Sequence, residues 1–318
     1  MLLLSRADVA GLMDFPAYVE AVEAGLRAAA AGKALAPPAA GFSVPGGSYH
    51  AKGAALLGDT VAIKLNANFP GNPARNGLPT VQGVIYLSDA RDGRPLALMD
   101  SIEITINRTG AATTLAARHL ARSESRVALI CGAGVQGRIQ LRAIRAAVAL
   151  DRVLVWDQDF AKAERYAQEH GAGVTPVRDL AAAREAHVIV TCTSAREAFL
   201  TRDHVSPGAF IAAVGADNHD KHEIAPDLYA ACRVAVDSLE QAAEIGDLHH
   251  ALACGAVRPE HVRATLAELV SGTKPGRTRA DEITLFDSTG MGLQDVAAAA
   301  EIYRRACRNG VGTRLSIN

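Results

Sequence analysis

The strongest constraint on the fold is a glycine-rich loop that directly follows an apolar strand. Apart from Arg126, residues 126–131 form a continuous hydrophobic run, of the kind that is buried on both faces of a parallel sheet. Gly132-Ala133-Gly134-Val135-Gln136-Gly137 follows as a complete G-x-G-x-x-G, and the pattern over 138–149 predicts a helix. The glycines of such a motif allow a tight turn, close approach of a pyrophosphate and close helix–strand packing. We therefore predict a dinucleotide site with Gly132, Gly134, Val135, Gln136 and Gly137 as contacts.

An acidic residue at the end of the next strand indicates which dinucleotide is bound. Residues 153–156 form a second apolar strand, and Asp157 follows it, about where the ribose-binding acid is expected. A carboxylate there would repel a 2′-phosphate, and Gln158-Asp159 supplies no arginine to reverse this effect. The sequence therefore predicts NAD rather than NADP. The alternative is that Asp157 is only a turn residue at the end of a strand.

Strand-like and helix-like segments alternate through the middle of the chain. Beyond the glycine motif we predict helices over 161–170 and 180–185, and strands over 173–177, 188–192, 210–214 and 233–236. This alternation predicts an α/β fold with a Rossmann-type doubly wound parallel sheet.

The first part of the chain has a different pattern. We predict strands over 2–4, 48–52, 60–66 and 80–88, helices over 6–13, 14–32 and 102–121, a loop or edge crossing over 34–47, and a last helix over 293–309. A chain of 318 residues is more than one hydrophobic core usually serves. We predict an α+β domain from residues 1-113 with 293-318, and the Rossmann NAD-binding domain from 114-292.

Composition excludes several classes of protein. A net charge of −1 without a long basic run does not resemble that of a nucleic-acid-binding protein, and 4% aromatic residues leave few rings to stack on bases. Five widely spaced cysteines predict neither a zinc knuckle nor a disulfide framework, and no metal site is expected. The adjacent His249 and His250 cannot both face one ion from a helix, so we expect them on a solvated face. No run is long enough to span a bilayer, and residues 1–8 do not resemble a signal peptide, so we expect a cytoplasmic protein without membrane partners.

Several further motifs resemble the ornithine cyclodeaminase and mu-crystallin family. They are Lys64, Phe69-Pro70-Gly71-Asn72, Gly77-Leu78-Pro79-Thr80-Val81-Gln82-Gly83, Ala97-Leu98-Met99-Asp100, Ile106-Asn107-Arg108-Thr109-Gly110-Ala111-Ala112, Ala213-Val214-Gly215-Ala216-Asp217 with Lys221 and Glu223, Asp237 with Gly246-Asp247-Leu248, and Phe286-Asp287-Ser288-Thr289-Gly290-Met291-Gly292-Leu293-Gln294-Asp295. The resemblance covers essentially the whole chain. It implies that the α+β domain binds substrate and forms a homodimer, and that the chemistry takes place at the carbon–nitrogen centre of a small amino or imino acid.

The resemblance also implies roles for individual residues. Lys64 and Arg108 would bind the substrate carboxylate, because the lysine ammonium is a compact charge and the planar arginine guanidinium can donate two parallel hydrogen bonds. Without the resemblance, each would be interpreted as an ordinary surface cation. Asp217 would exchange a proton with the substrate nitrogen, and Lys64 and Asp217 are the catalytic candidates. Lys221 and Glu223 would order the Asp217 loop. Further cofactor contacts would be Thr80, Thr193, Val214, Ser288, Thr289 and Gly290.

Two departures from the family pattern bear on the reaction. Residues 37–40 lack an arginine that often grips the carboxylate, and Lys52, on the same strand face as His50, either replaces it or is an exposed strand lysine. No acid lies between Gly41 and Gly58 to hold the terminal ammonium of ornithine. We therefore predict an NAD-dependent imine reductase or amino-acid dehydrogenase. The alternatives are a redox-neutral cyclodeaminase, a mu-crystallin-like dinucleotide-binding protein with little turnover, and an NAD sensor.

Overall fold

The computed structural model describes residues 1–316, which form two compact units. The first unit comprises Met1–Ala111 and the residues from Met291 onward, and the second comprises Ala112–Gly290. The domain boundaries predicted from the sequence, after 113 and after 292, lie two residues beyond these divisions at 111 and 290.

Two eight-stranded sheets account for the strands of residues 1–316. In chain order the strands are β1 (Leu2–Leu4), β2 (Ala34–Leu35), β3 (Ala40–Val44), β4 (Gly47–Leu56), β5 (Thr60–Asn68), β6 (Val81–Asp89), β7 (Pro95–Asp100), β8 (Val127–Cys131), β9 (Arg152–Trp156), β10 (Val174–Pro176), β11 (Val188–Thr191), β12 (Phe210–Ala213), β13 (Arg233–Val236), β14 (Val262–Thr265), β15 (Thr284–Asp287) and β16 (Thr313–Arg314). The α-helices are α1 (Arg6–Leu12), α2 (Phe15–Ala30), α3 (Asn72–Asn76), α4 (Ile102–Leu120), α5 (Val135–Arg145), α6 (Phe160–His170), α7 (Pro226–Ala231), α8 (Leu239–Ile245), α9 (Asp247–Ala253), α10 (Leu266–Ser271) and α11 (Gly292–Asn309). Leu180–Glu185, Arg202–His204 and Pro259–His261 are 3-10 helices.

The first unit is built on a mixed sheet in the order β16-β1-β7-β6-β5-β4-β2, with β3 paired to β4. β1 is parallel to β7, and the other neighbours are antiparallel. Helix α11 packs on α2, β4 and β5. Its close approach depends on Gly292, because a Cβ there would collide with the carbonyl of Gly53 on β4. The predicted α+β architecture is confirmed.

The second unit has the predicted Rossmann sheet. The strand order is β10-β9-β8-β11-β12-β15-β13-β14, and every pair is parallel. With β8 counted first, β10, β9, β8, β11 and β12 follow the order 3-2-1-4-5, as in the order 3-2-1-4-5-6 that is typical of dinucleotide-binding sheets. The next position is taken by β15, the last strand of the unit along the chain. Because all strands are parallel, their carboxyl ends lie at one edge of the sheet, where ligands of such folds bind.

Several predicted elements were wrong in detail. The segment 34–47, predicted as a loop or edge crossing, contains β2 and β3, because its backbone groups pair with β4. Strand β7 was not predicted at all. Helix α5 begins at Val135 rather than at 138, since Gly134 is its extended N-cap and Gly137 lies inside its first turn. In residues 1–316, no helix combines the length and the apolar character needed to cross a bilayer.

Candidate active site

The first unit holds a buried group of charged side chains from three elements. Lys64 lies on β5, Arg108 on α4 and Asp295 on α11. Asp295 Oδ2 is 2.6 Å from Lys64 Nζ, and Arg108 Nε donates a hydrogen bond of 3.0 Å to Asp295 Oδ1. The side chains of Lys64, Arg108 and Asp295 are 5%, 7% and 1% exposed. Neither cation is therefore an ordinary surface residue.

Lys52 lies beside this group. It is directly opposite Lys64 in the β4–β5 register, so both side chains lie on the same face of the sheet, and Lys52 is half-buried rather than exposed. We call Lys52, Lys64, Arg108 and Asp295 the charged cluster.

Burial and neighbouring charges set the protonation of the cluster. Burial, together with the charges of Arg108 and Lys52, lowers the pKa of Lys64 to about 7, although Asp295 opposes this change. Burial acts to raise the pKa of Asp295, but the charges of Lys64 and Arg108 outweigh it and lower that pKa. Asp295 is therefore ionised and lies between Lys64 and Arg108. The charged cluster contains more positive than negative charge.

In the second unit, the glycine loop (Gly132–Gly137) is shaped by its own packing. Gly132 has φ +113°, a conformation that favours glycine, and a Cβ there would lie 2.9 Å from the carbonyl oxygen of Cys192. A Cβ at Gly137 would collide with the carbonyl of Gly132, whereas one at Gly134 would meet no heavy atom within 4 Å. No side chain in the described chain caps the start of α5, where Val135 is exposed and Gln136 half-buried. Open space therefore lies beside free N–H groups.

Asp157 contacts this loop directly. Its Oδ2 accepts a hydrogen bond of 2.9 Å from the Ala133 N–H, and its Oδ1 accepts one of 3.0 Å from the Asp159 N–H. Asp157 therefore belongs to a strand-end turn and also fixes the glycine loop, and its contact with the ribose stays a prediction.

The other predicted cofactor contacts of the second unit lie at the same edge of the sheet. Thr193 follows β11, Val214 follows β12, and Ser288-Thr289-Gly290 follows β15. The Val214 N–H bonds the Thr191 carbonyl, and the Ser288 N–H bonds the Ala213 carbonyl, both at 2.8 Å. The carboxyl ends of β8, β9, β11, β12 and β15 thus bring these residues and the glycine loop to one edge.

A buried carboxylate links two of these strand ends. Glu223 Oε1 accepts hydrogen bonds from the N–H and the hydroxyl of Thr193 at 2.6 and 2.7 Å. Its Oε2 accepts from the Thr191 hydroxyl and the Gly215 N–H at 2.7 and 2.8 Å. Burial raises the pKa of Glu223, and these donors oppose the increase because they bond the charged form. Glu223 therefore joins the loops after β11 and β12.

Asp217 lies in the loop after β12, with its side chain 53% exposed. Its Oδ1 is 2.7 Å from the Nζ of Lys221, four residues further along. The ion pair holds the Asp217 carboxylate at the edge of the sheet, so Lys221 contributes to the order of this loop.

Sequence reasoning assigned no role to Asp237 or Asp295. Asp237 is buried, and its Oδ1 accepts a hydrogen bond of 2.8 Å from the Thr289 hydroxyl while its Oδ2 accepts from the Gly290 N–H. It fixes two predicted cofactor contacts. Both aspartates lie within the motifs that carry the family resemblance, but only the fold shows what they contact.

Three other predictions concern Thr80, the His249-His250 pair and metal binding. Thr80 lies in the first unit just before β6, where its carbonyl accepts from the Phe69 N–H at 2.7 Å. The prediction that His249 and His250 lie on a solvated face was wrong. Both are half-buried, and the His250 ring stacks on His222 with centroids 4.0 Å apart. Within residues 1–316, no group of three or more His, Cys, Asp or Glu side chains is placed to hold a metal ion.

Comparison with known proteins agrees with this architecture. The model of the ornithine cyclodeaminase/mu-crystallin family matches residues 1–310. Alanine dehydrogenase of Archaeoglobus fulgidus is 36% identical over 319 residues, covering 99% of this chain and 98% of that protein. The structure of an archaeal alanine dehydrogenase dimer with bound NAD has a TM-score of 0.96 at 34% identity, covering 100% of this chain and 99% of the other. Δ1-pyrroline-2-carboxylate reductase of Thermococcus litoralis, in complex with NADH and L-proline, has a TM-score of 0.94 at 33% identity, covering 99% and 100%. The predicted resemblance is confirmed: the chain belongs to the ornithine cyclodeaminase/mu-crystallin family.

Proposed function

We propose that the chain is an NAD-dependent oxidoreductase that acts on the carbon–nitrogen bond of a small amino or imino acid, as an imine reductase or amino-acid dehydrogenase. The charged cluster is the observation that carries this proposal. A buried excess of positive charge is costly unless an anion compensates it, and the carboxylate of an amino or imino acid is such an anion. The relatives named above, a dehydrogenase and a reductase of this substrate class, support the same reaction.

The glycine loop fits the pyrophosphate of NAD. Gly134 leaves open space beside the uncapped start of α5, where free N–H groups and the helix dipole favour a phosphate. Asp157 lies at the loop and suits a ribose 2′-hydroxyl better than a 2′-phosphate. When bound, NAD supplies the hydride acceptor, and NADH the hydride donor, for the substrate carbon.

The chain's own residues orient the substrate and move a proton. Lys64 and Arg108 bind the substrate carboxylate, with Lys52 as a third cation, and this fixes the position of the neighbouring carbon. Asp217 gives or takes the proton on the substrate nitrogen as general acid or base. The same residues serve imine reduction and, in the reverse direction, amino-acid oxidation.

A cofactor assay of the purified protein tests this function. NADH would be offered with 2-keto acids plus ammonia and with preformed cyclic imines, and NAD with alanine, ornithine and lysine, with analysis of all products. We expect consumption of NADH with at least one imino acid. Release of ammonia without net change in NADH would indicate a cyclodeaminase instead. Tight NADH binding without turnover on any of these substrates would indicate a binding protein.

Two glycine substitutions separate cofactor binding from loop stability. Gly134→Ala is expected to leave the melting temperature nearly unchanged, because its methyl group meets no protein atom, but to weaken NADH binding about tenfold or more by filling the space for the pyrophosphate. Gly137→Ala is expected to lower the melting temperature by several degrees, because its methyl group collides with Gly132. Fluorescence titration with NADH and thermal melts measure both effects. Unchanged NADH affinity in Gly134→Ala would contradict the proposed position of the pyrophosphate.

An apolar sheet face supports a homodimer as the functional form. Ile63 and Leu65 on β5 and Val84 on β6 are 50%, 45% and 40% exposed, and Leu65 lies opposite Val84 in the register. They lie on the face opposite to Lys64, since alternate residues of a strand point to opposite sides. We propose that a second copy of this chain covers this face, as apolar patches of this kind often mark interfaces.

The proposed dimer predicts that one carboxylate introduced on this sheet face weakens self-association. Leu65→Asp is expected to weaken self-association by about 100-fold or more, because it buries an unpaired carboxylate in the interface. Leu57→Asp is the matched control, since Leu57 is 50% exposed but lies in the turn between β4 and β5. Analytical ultracentrifugation across a concentration series measures both variants. A Leu65→Asp chain that dimerises like the wild type would exclude this face as the interface.

A further inference from the structure

The carboxylate of Asp295 contacts both cations that are proposed to bind the substrate carboxylate. Each of its oxygens contacts a different cation, Lys64 at 2.6 Å and Arg108 at 3.0 Å. Arg108 Nη1 also donates a hydrogen bond of 2.9 Å to Gln294 Oε1, and Lys64 Nζ lies 3.5 Å from the Thr105 hydroxyl. Asp295 therefore bridges the two cations.

Charge balance shows what this contact accomplishes. The groups that act on Lys64 are Asp295 on α11, Arg108 on α4 and Lys52 on β4, that is, two cations and one carboxylate. Without Asp295, three cations would share a largely buried site, and an ammonium in such a place tends to lose its proton. With Asp295, the cluster still carries surplus positive charge, which a substrate carboxylate can compensate.

We infer that Asp295 is a positioning residue, a built-in counter-ion that favours the charged form of Lys64 and holds Lys64 and Arg108 in place to receive the substrate carboxylate. This inference rests on the proposed function, because it assigns the same two cations to the substrate. Asp295 acts through them and does not itself contact the substrate. Its removal would therefore affect substrate binding in a pH-dependent way.

The direct test follows the titration of Lys64 in the full chain without substrate. The sequence has only six lysines, so NMR of chains carrying ¹³C- and ¹⁵N-labelled lysine can resolve Lys64, with Lys64→Met to assign its signal. In Asp295→Asn we expect the midpoint of Lys64 to fall by about one pH unit or more, a tenfold or greater change in proton affinity. Glu301→Gln is the matched control, since it removes one acid from the same helix where it pairs with Arg305, and it should leave the Lys64 midpoint unchanged.

Kinetics give a second readout that a merely structural role would not produce. A lysine is charged only below its pKa, so a lower Lys64 midpoint shifts the alkaline fall of kcat/KM to lower pH. In Asp295→Asn we expect KM to rise more than kcat falls, with partial recovery as the pH is lowered. A uniform loss at every pH, or an unchanged Lys64 midpoint, would overturn the inference.

The outcomes also separate this inference from the proposed function. A shifted Lys64 midpoint in a protein without turnover on any tested imino acid would uphold the counter-ion and reject the oxidoreductase. Turnover of an imino acid together with an unshifted Lys64 midpoint in Asp295→Asn would uphold the oxidoreductase and reject the counter-ion. If Asp295→Asn fails to fold, the triple variant Lys64→Met/Arg108→Met/Asp295→Asn decides, because it removes Asp295 together with both cations that it contacts. A folded triple variant supports the counter-ion, and an unfolded one overturns it.

Discussion

The Lys64→Met variant is expected to lose about a thousandfold in kcat/KM with the imino-acid substrate while binding NADH as the wild type does. Methionine fills much of the volume of the buried lysine but offers no charge to the substrate carboxylate. Loss of one partner from a desolvated charge pair costs about 2–5 kcal/mol, and about 4 kcal/mol corresponds to a thousandfold. Steady-state kinetics with varied imino acid, together with NADH titration, measure the two expectations.

A matched substitution shows whether the loss is local. Lys162→Met makes the same change at an exposed position of α6, away from the predicted site residues, and should leave kcat/KM unchanged. NADH binding reports on the glycine loop of the second unit, so its retention in Lys64→Met shows that this unit is folded. Substrate turnover within about threefold of the wild type would remove Lys64 from the site.

The parts of the fold that the sequence predicted are those that depend on neighbouring residues. The glycine loop and Asp157 were predicted because a strand, a turn and a helix follow one another within a few residues. The Rossmann sheet follows from the same repeated pattern, since apolar parallel strands need a covering helix between them. In these segments local preference and tertiary structure agree.

The parts that were missed depend on contacts between distant segments. Asp295 binds Arg108 across 187 residues of sequence, so no local pattern could identify it as the counter-ion. Burial of the predicted cations was likewise visible only once β5, α4 and α11 were packed together. Strands β2 and β3 were hidden because their proline- and glycine-rich sequence is typical of loops, and pairing with β4 determines their conformation. The stacked His222 and His250 are a similar case, since they meet only through the fold.

The Asp217→Asn variant is expected to lower kcat by about a hundredfold to ten-thousandfold, the range over which a general acid or base contributes. Asparagine is nearly isosteric and can still accept a hydrogen bond from Lys221, but it cannot take or give a proton at the substrate nitrogen. Because Asp217 lies in a loop with its side chain half-exposed, the substitution should leave the melting temperature nearly unchanged. KM should change far less than kcat, since the carboxylate-binding cations are intact.

Asp220→Asn supplies the control for this experiment. Asp220 lies in the same loop, is 69% exposed, and is 3.8 Å from Arg196 in a surface ion pair, so its neutralisation makes the same charge change without removing the proposed proton-transfer group. We expect its kcat to stay within about twofold of the wild type, because surface pairs of this kind contribute little. Equal losses in both variants would mean that the charge of the loop matters, and not proton transfer at Asp217. A loss confined to Asp217→Asn, together with altered pH dependence of kcat, would identify Asp217 as the group that exchanges the proton.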